Sequence, residues 1–263
     1  MSDVLGLLDA ESLQRLLIFF VLLTLAAWSG KALSRRYARS NPGQDDDIKI
    51  VLGATLSLFG LLVGFLLSFA IAGYNTRVSA EEHEALAIAN AFQRSSLLMS
   101  SSAQVQAQSM LNAYLQARIQ FYQKVDAERD QTRIQALHLQ AKMWQFVSQE
   151  AKLAPNALSM SLVDASSQLY ITQQKTMASW RKQIPTAAWL ILVVFGVCST
   201  FSIGYHMHGS NRGIAWLLVV PFVAALTLFM ISEIDEPGKG VIHVTPQNLE
   251  ALQAGFARAA LSN

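Results

Sequence analysis

The sequence predicts an all-α membrane protein with four transmembrane helices and a long helical-bundle insert between the second and the third. Only 14% of its 263 residues are charged, against roughly 25% in an average soluble domain. The depletion is concentrated in four apolar stretches, each compatible with a membrane span. No stretch shows the alternation of apolar and polar residues that is typical of a β-strand. The predicted segments are an N-terminal segment (1–12), the first span (13–30), a connection with basic and acidic residues (31–49), the second span (50–74), the extramembrane bundle (75–184), the third span (185–205), a short turn (206–213), the fourth span (214–231) and a C-terminal tail (232–263).

The first span carries Arg15 near its start and Trp28 near its end. It lacks the basic region that opens a signal peptide, and basic residues follow it at once, so we expect a retained anchor. Cleavage after Ala27 is the alternative. The connection that follows ends in the acidic run Asp45 to Asp47, and carboxylates suit the start of a helix.

The second span and its polar continuation are the stretch around which the chain is organised. No charge occurs between Lys49 and Arg77, which is more than the roughly 20 apolar residues needed to cross a bilayer. The continuation, 75–98, keeps a helical pattern but is charged. One long helix that leaves the membrane and enters an aqueous bundle is the simplest interpretation.

Two sets of residues in the second span suggest different roles. Gly60, Gly64 and Ser68 recur every four residues, so this face allows the close approach of another helix, within the subunit or across subunits. Phe65 and Phe69 form a bulky ridge on another side. Such a ridge can act as a hydrophobic constriction in a pore. The alternative is that it faces lipid or a neighbouring helix.

Three helical seams predict the core of the extramembrane bundle. Each seam repeats apolar residues at spacings of three and four. A serine-rich turn at 100–102, the charged turn 124–130 and a break at Pro155 separate the helices. The seams are Leu111, Tyr114, Leu115, Ile119 and Tyr122; Ile134, Leu137, Ala141 and Trp144; and Leu158, Leu162, Ala165 and Leu169.

Two clusters of charged residues are candidates for chemistry. Glu233, Asp235 and Glu236 follow directly after the fourth span, where they invite a cation or an arginine. We expect a contact with Arg77, with freely solvated acids as the alternative. Residues 81–84 (Glu-Glu-His-Glu) fan around the helix and so cannot converge on one metal ion within a subunit. We interpret them as a solvated helix surface. The alternative is a ring of one such glutamate from each subunit of an oligomer, and Glu84 is also a candidate member of the charge cluster.

Several classes of function have no support in the sequence. We find no nucleophile–base constellation, phosphate loop or cofactor motif, so we expect neither an enzyme nor a cofactor. A net charge of +2 without a basic patch argues against nucleic acid as a partner. The spans lack the buried carboxylate or histidine that proton-coupled transporters use. Cys198 is the only cysteine, which excludes an intrachain disulfide and a thiolate zinc site; no metal site is expected.

Positive charges indicate the orientation in the membrane. Short cytoplasmic loops are enriched in Lys and Arg, so the richer side is taken as the cytoplasm. This rule places both termini and the bundle on the non-cytoplasmic side of a multi-pass protein, which we expect in a bacterial inner membrane. The residues counted on the cytoplasmic side are Lys31, Arg35, Arg36, Arg39, Lys49 and Arg212; those counted on the other side are Arg77, Arg181, Lys182 and Lys239.

Scattered positions over nearly the whole chain resemble the bestrophin-like domain family, whose layout is related to that of the bestrophin anion channels. The family also shares the order of two spans, a helical insert, two spans and an acidic tail. The residues that carry the resemblance are Gly64-Phe65, Tyr74-Asn75-Thr76-Arg77, Glu84-Ala85-x-Ala87, Tyr114-Leu115-x-x-Arg118, Trp144 and Ile234-Asp235-Glu236-Pro237-Gly238.

This resemblance implies a homo-oligomeric channel for chloride or other anions, pentameric as bestrophins are, with the second helix of each subunit lining the pore. Phe65 and Phe69, together with Leu62, would then form the apolar neck. The acidic tail would resemble part of the bestrophin calcium clasp, although the long acidic run that follows in bestrophins is missing here. Bestrophins keep their termini and helical insert in the cytosol. Our charge count places them outside, and we follow the charge count.

A competing hypothesis comes from a different class of function. The chain would be a non-conducting membrane scaffold, or an accessory or sensor protein, whose helical bundle binds a partner. Replacing Phe65 and Phe69 by alanine separates the two, because only a channel would change its conductance.

Overall fold

The computed structural model describes residues 10–37, 45–207, 214–238 and 240–261. These residues are almost entirely helical and contain no strand, so the predicted all-α class is confirmed. Most of the predicted N-terminal segment, residues 38–44 of the connection and residues 208–213 of the turn, including Arg39 and Arg212, lie outside the described residues. The helices are α1 (Ala10–Tyr37), α2 (Asp45–Ser95), α3 (Ser101–Gln123), α4 (Asp126–Leu153), α5 (Ala157–Arg181), α6 (Thr186–His206), α7 (Ile214–Asp235) and α8 (Gln247–Leu261).

The chain divides into two compact units. Met1–Gly73 with Gln183–His243 form the membrane unit, and Tyr74–Lys182 with Val244–Asn263 form the bundle unit. Helix α2 contributes to both units, because it runs for 51 residues without a break. The predicted long helix, apolar in its first half and charged in its second, is thereby confirmed.

Four helical stretches of the described chain are long and apolar enough to cross a membrane, as the sequence predicted. They are Ala10–Arg35, Ile50–Ser95, Ala157–His206 and Leu217–Asp235. They differ in how much of their surface the rest of the chain buries. Each span has a most apolar window of 18 residues; half of this window is buried in Leu217–Asp235, and none of it is buried in Ile50–Ser95.

Close packing in the membrane unit depends on glycines of α1 and α6. A Cβ atom at Gly30 would overlap the carbonyl oxygen of Phe201, and one at Gly204 would overlap that of Ala27. Only glycine allows this approach, so the backbones of α1 and α6 touch. Gly196 of α6 similarly accepts the ring of Phe59, 3.2 Å from the position of an added Cβ.

The core of the bundle unit confirms one predicted seam completely. All five predicted residues of α3 are buried, and Tyr114 and Leu115 have no exposed surface. The third seam holds except at its start, because Leu158 in the first turn of α5 is 50% exposed. Asn156 caps that helix, accepting hydrogen bonds from the backbone N–H groups of Leu158 and Ser159 at 2.9 Å.

The second predicted seam is wrong. Ile134 and Trp144 of α4 are about half exposed, at 49% and 47%. The face of α4 that packs into the core instead carries polar and small residues beside apolar ones. Hydrogen bonds make this burial tolerable, since the Gln140 amide donates to the Tyr114 hydroxyl and to the Leu169 carbonyl. The buried residues of α4 are Thr132, Ala136, Gln140, Met143, Phe146 and Val147.

Candidate functional site: the exposed face of α2 and two charge clusters

In the membrane half of α2, most of the residues predicted to be functional are not covered by the described chain. Phe65 is 64% exposed and Phe69 is 42% exposed, whereas Leu62 is only partly exposed. A Cβ atom added at Gly60 or Gly64 meets nothing within 4 Å in the described chain. The neck role of the three apolar residues therefore stays a prediction, and so does packing at Gly60, Gly64 and Ser68 against a second subunit.

The opposite face of α2 contacts the rest of the membrane unit. Phe59 lies against Gly196, and the Ser199 hydroxyl donates to the Thr55 carbonyl at 3.4 Å. Ala70 is buried further along this face. α2 thus has one face attached to α6. The described chain leaves the other sides of the helix uncovered, and the two predicted sets lie on these sides.

Two of the three acids of the tail motif, Glu233 and Asp235, are buried rather than solvated, and Glu236 is partly exposed. Glu233 is 1% exposed, and its partner is Arg15 from the start of α1, whose Nη2 lies 3.3 Å from Glu233 Oε1. Arg15 also pairs with Glu236. The other oxygen of Glu233 accepts the backbone N–H of Val241 at 2.8 Å. Arg15 stands out in the sequence near the start of the first span, but no local pattern connects it with acids 218 or more residues away.

Gly240 closes the tail over Glu233. It has a φ of +79°, and a Cβ there would overlap the Glu233 carboxylate, so the position requires glycine. Asp235 has a separate structural role, because its carboxylate accepts the backbone N–H of Ile184 at 2.9 Å and the indole N–H of Trp189 at 3.4 Å. The acidic tail therefore holds the start of α1 and the entry of α6.

These contacts decide how well the tail fits a calcium ion. Calcium needs six to eight oxygen ligands that are free to coordinate it. Here the guanidinium of Arg15 and N–H donors of Ile184 and Val241 occupy the carboxylates of Glu233 and Asp235. The residues do not fit a calcium clasp, and no group of three His, Cys, Asp or Glu side chains in the described residues could hold a metal ion. Arg77 is buried, at 1% exposed, and its contact with the tail acids stays a prediction.

A second charge cluster lies inside the bundle unit, around Glu84. The guanidinium of Arg118 binds this carboxylate with two donors, Nε at 2.5 Å and Nη2 at 3.1 Å, and neither side chain is exposed. The Tyr114 hydroxyl donates to Glu84 Oε1 and the Thr176 hydroxyl donates to Oε2, both at 3.2 Å. Every oxygen of the buried carboxylate is therefore occupied, as a buried charge requires.

This cluster changes the acidity of its neighbours. Burial raises the pKa of Tyr114 well above its usual value, and the charge of Glu84 adds to the effect. Burial and Glu84 raise the pKa of Tyr122 in the same way. For Arg118, burial lowers the pKa, but the charge and hydrogen bonds of Glu84 together with the neighbouring Tyr114 and Tyr122 outweigh it, and the net direction is upwards. The arginine stays charged and the tyrosines stay neutral over the physiological range.

Residues 81–84 are only partly the solvated surface that the sequence suggested. Glu82 and His83 are exposed, but the interpretation is wrong for Glu81 and Glu84, which are 1% and 0% exposed. Glu81 accepts the backbone N–H groups of Asn248 and Leu249, both at 3.0 Å, and so caps the start of α8. The two buried acids lie three residues apart on one helical face, and that spacing was the available signal.

Four long apolar helical stretches and a helical bundle unit with a buried core of its own define an integral membrane protein of the all-α class. The chain belongs to the Bestrophin-like domain family, whose model matches residues 17–249. The family that the sequence motifs suggested is thereby confirmed. No curated protein and no solved structure matches the chain.

Proposed function

We propose that the chain assembles into a homo-oligomeric, bestrophin-like membrane channel in which α2 helices from several subunits line an anion-conducting pore. The observation that carries the proposal is the uncovered face of α2. The most apolar window of this helix has no residue buried by its own chain, whereas the other three candidate spans are each partly buried. Family membership supports a channel-related protein.

The residues on this face suit a gated hydrophobic pore. Small residues at Gly60 and Gly64 would let α2 helices of adjacent subunits approach closely. Phe65 and Phe69 of each subunit would then form a ring of bulky apolar side chains. Such a constriction excludes water when it is narrow and conducts when it widens, so it needs no buried charge.

The ion, the symmetry and the orientation belong to the same proposal. Chloride or other anions and a pentamer follow from the bestrophin analogy. The charge count supports a bundle on the non-cytoplasmic side of a bacterial inner membrane, where it would form a vestibule.

Ion flux from liposomes that contain the purified protein tests the proposal. We expect efflux of chloride but not of a large anion such as gluconate, and we expect Gly64→Trp to abolish it. Leu190→Trp, at a position of α6 that is 65% exposed, is the matched control and should leave flux intact. Phe65→Ala with Phe69→Ala should raise basal leak. An intact oligomer that releases no chloride under any of these conditions argues against conduction.

One observation favours the scaffold hypothesis as a second candidate. The apolar stripe of α4 that includes Ile134 and Trp144 is exposed in the bundle unit, and exposed apolar stripes often mark partner surfaces. Replacing both residues by aspartate should abolish partner binding without changing flux if the chain is a scaffold. If the same variant conducts normally and has unchanged cellular function, the stripe is not a partner surface.

A further inference from the structure

A groove of about 560 Å³ opens in the membrane unit between α1 and α7. Its lining is mostly apolar, and the polar part is cationic. Among the described residues that line it, there is no acidic side chain. The residues used below are Leu25, Trp28, Lys31, Arg35, Leu217 and Leu218.

Lys31 is the unusual member of this lining. Its side chain is only 7% exposed, yet no described residue forms a hydrogen bond or an ion pair with it. The aliphatic stem of Lys31 is covered, whereas its nitrogen is not among the fully buried side-chain atoms that lack a partner, so the charge is accessible in the groove without a counter-ion from the described residues. Arg35 lines the same groove one helical turn later and is exposed. Two cations that share one groove therefore favour an anionic ligand.

The rest of the groove indicates what the anion is attached to. Leu217 is buried, Leu25 and Leu218 are partly or largely exposed, and all three line the groove beside the cations. Trp28 is 68% exposed next to them, and tryptophan is enriched where a membrane meets water. Lys31 and Arg35 come at the end of the candidate span Ala10–Arg35. The groove thus combines an apolar wall inside the span with positive charge at the end of the span.

We infer that this groove binds an anionic phospholipid, with its phosphate at Lys31 and Arg35 and an acyl chain along Leu25, Leu217 and Leu218. Basic pockets between transmembrane helices are known to hold the headgroups of anionic lipids. A free phosphate ion would use the cations but not the apolar wall. A lipid uses both, and its phosphate supplies the counter-charge for Lys31 and Arg35 in the groove.

The test uses the full chain in nanodiscs, with phosphatidylglycerol as the anionic probe and phosphatidylcholine as the neutral one. We expect phosphatidylglycerol to raise the unfolding temperature, because a ligand that binds only the folded state stabilises it. Native mass spectrometry should show retained phosphatidylglycerol. Lys31→Gln with Arg35→Gln should weaken retention by about tenfold or more, because both charge-assisted contacts with the phosphate are lost.

Two matched controls separate this site from a general attraction to negative lipid. Lys175→Gln removes an exposed lysine of the bundle unit and should leave retention unchanged. Leu218→Trp should fill the groove and reduce retention with both cations present, whereas Leu190→Trp on α6 should not. Equal retention of the two lipids, or equal loss in Lys175→Gln, overturns the inference.

Further arms of the same experiment test two other counter-ions for Lys31: a free phosphate ion and carboxylates of the protein. If inorganic phosphate alone reproduces the stabilisation in phosphatidylcholine, the ligand is a free anion and the lipid assignment fails. If asparagine at positions 45–47 removes as much stability as Lys31→Gln, and neither variant depends on the lipid, Lys31 pairs with protein carboxylates. That result also overturns the proposal.

Discussion

Arg118 and Glu84 form a two-donor ion pair with no exposed surface on either side chain, and this pair joins α3 to the charged half of α2. The two residues lie 34 positions apart in the sequence. Phe121 adds to the arrangement, since its ring centre lies 4.3 Å from the guanidinium carbon of Arg118. The core of the bundle unit is therefore built on a charge pair as well as on apolar contacts.

Glu84→Gln should lower the free energy of unfolding by about 3–5 kcal/mol, because it leaves the guanidinium of Arg118 buried without a counter-charge. Urea unfolding of the full chain in detergent micelles measures this change. Glu82→Gln is the matched control, since Glu82 is exposed two residues earlier and should shift the value by less than about 0.5 kcal/mol. Similar losses in the two variants would show that the pair contributes little.

Stability should also fall in alkaline solution, because burial and the charge of Glu84 raise the pKa of Tyr114 and of Tyr122. An unfolded tyrosine loses its proton near pH 10, while the folded one keeps it. Above about pH 10 the unfolded state therefore binds fewer protons, and stability drops by up to about 1.4 kcal/mol per pH unit for each tyrosine. Below that pH this contribution is constant.

Urea unfolding at a series of pH values from neutral to strongly alkaline tests this dependence. Tyr122→Phe removes one of the two groups, so the decline above pH 10 should be less steep in this variant than in the parent protein. A decline of unchanged slope would mean that other groups dominate the alkaline loss of stability.

The sequence predicts the membrane part of this fold well because a span must be apolar over its whole length. The core of a bilayer holds no water that could hydrate a backbone group or a charge, so each residue of a span must be compatible with lipid. This requirement can be recognised in the local sequence. The α3 seam could be predicted because its apolar residues, Leu111 and Tyr114 among them, repeat at helical spacing on the face that the core buries. On α4 the periodicity gave a wrong prediction, because Ile134 and Trp144 belong to a regular apolar stripe that is about half exposed and does not pack into the core.

The charge clusters were less readable because their partners are distant in the chain. Nothing in the local sequence says that Glu233 pairs with Arg15, or that Glu84 pairs with Arg118. An acid with a distant partner and an acid in water have the same local pattern. Only the tertiary arrangement distinguishes the two, and it shows that Glu81 and Glu84 are structural.

Glu81→Ala should release α8 from the bundle unit. The carboxylate of Glu81 accepts two backbone N–H groups at the start of this helix and the Asn248 side-chain amide at 2.6 Å. Hydrogen exchange followed by mass spectrometry should show faster exchange over residues 247–258, and the stacked rings of Phe92 and Phe256 should separate. Glu82→Ala is the control. If exchange over α8 is the same in both variants, Glu81 does not hold this helix.

The last prediction separates packing inside one chain from packing between chains. Gly204→Ala places a methyl group against the carbonyl oxygen of Ala27, so the backbones of α1 and α6 must move apart and the unfolding temperature in detergent should drop by several degrees. Gly64→Ala adds the same methyl group where the described chain offers no contact within 4 Å, so it should leave the monomer stable. If α2 helices pack together, Gly64→Ala should instead weaken the oligomer, measured as a lower mass by size-exclusion chromatography with light scattering. A stable, unchanged oligomer in Gly64→Ala would place this face of α2 against lipid and remove it from the subunit interface.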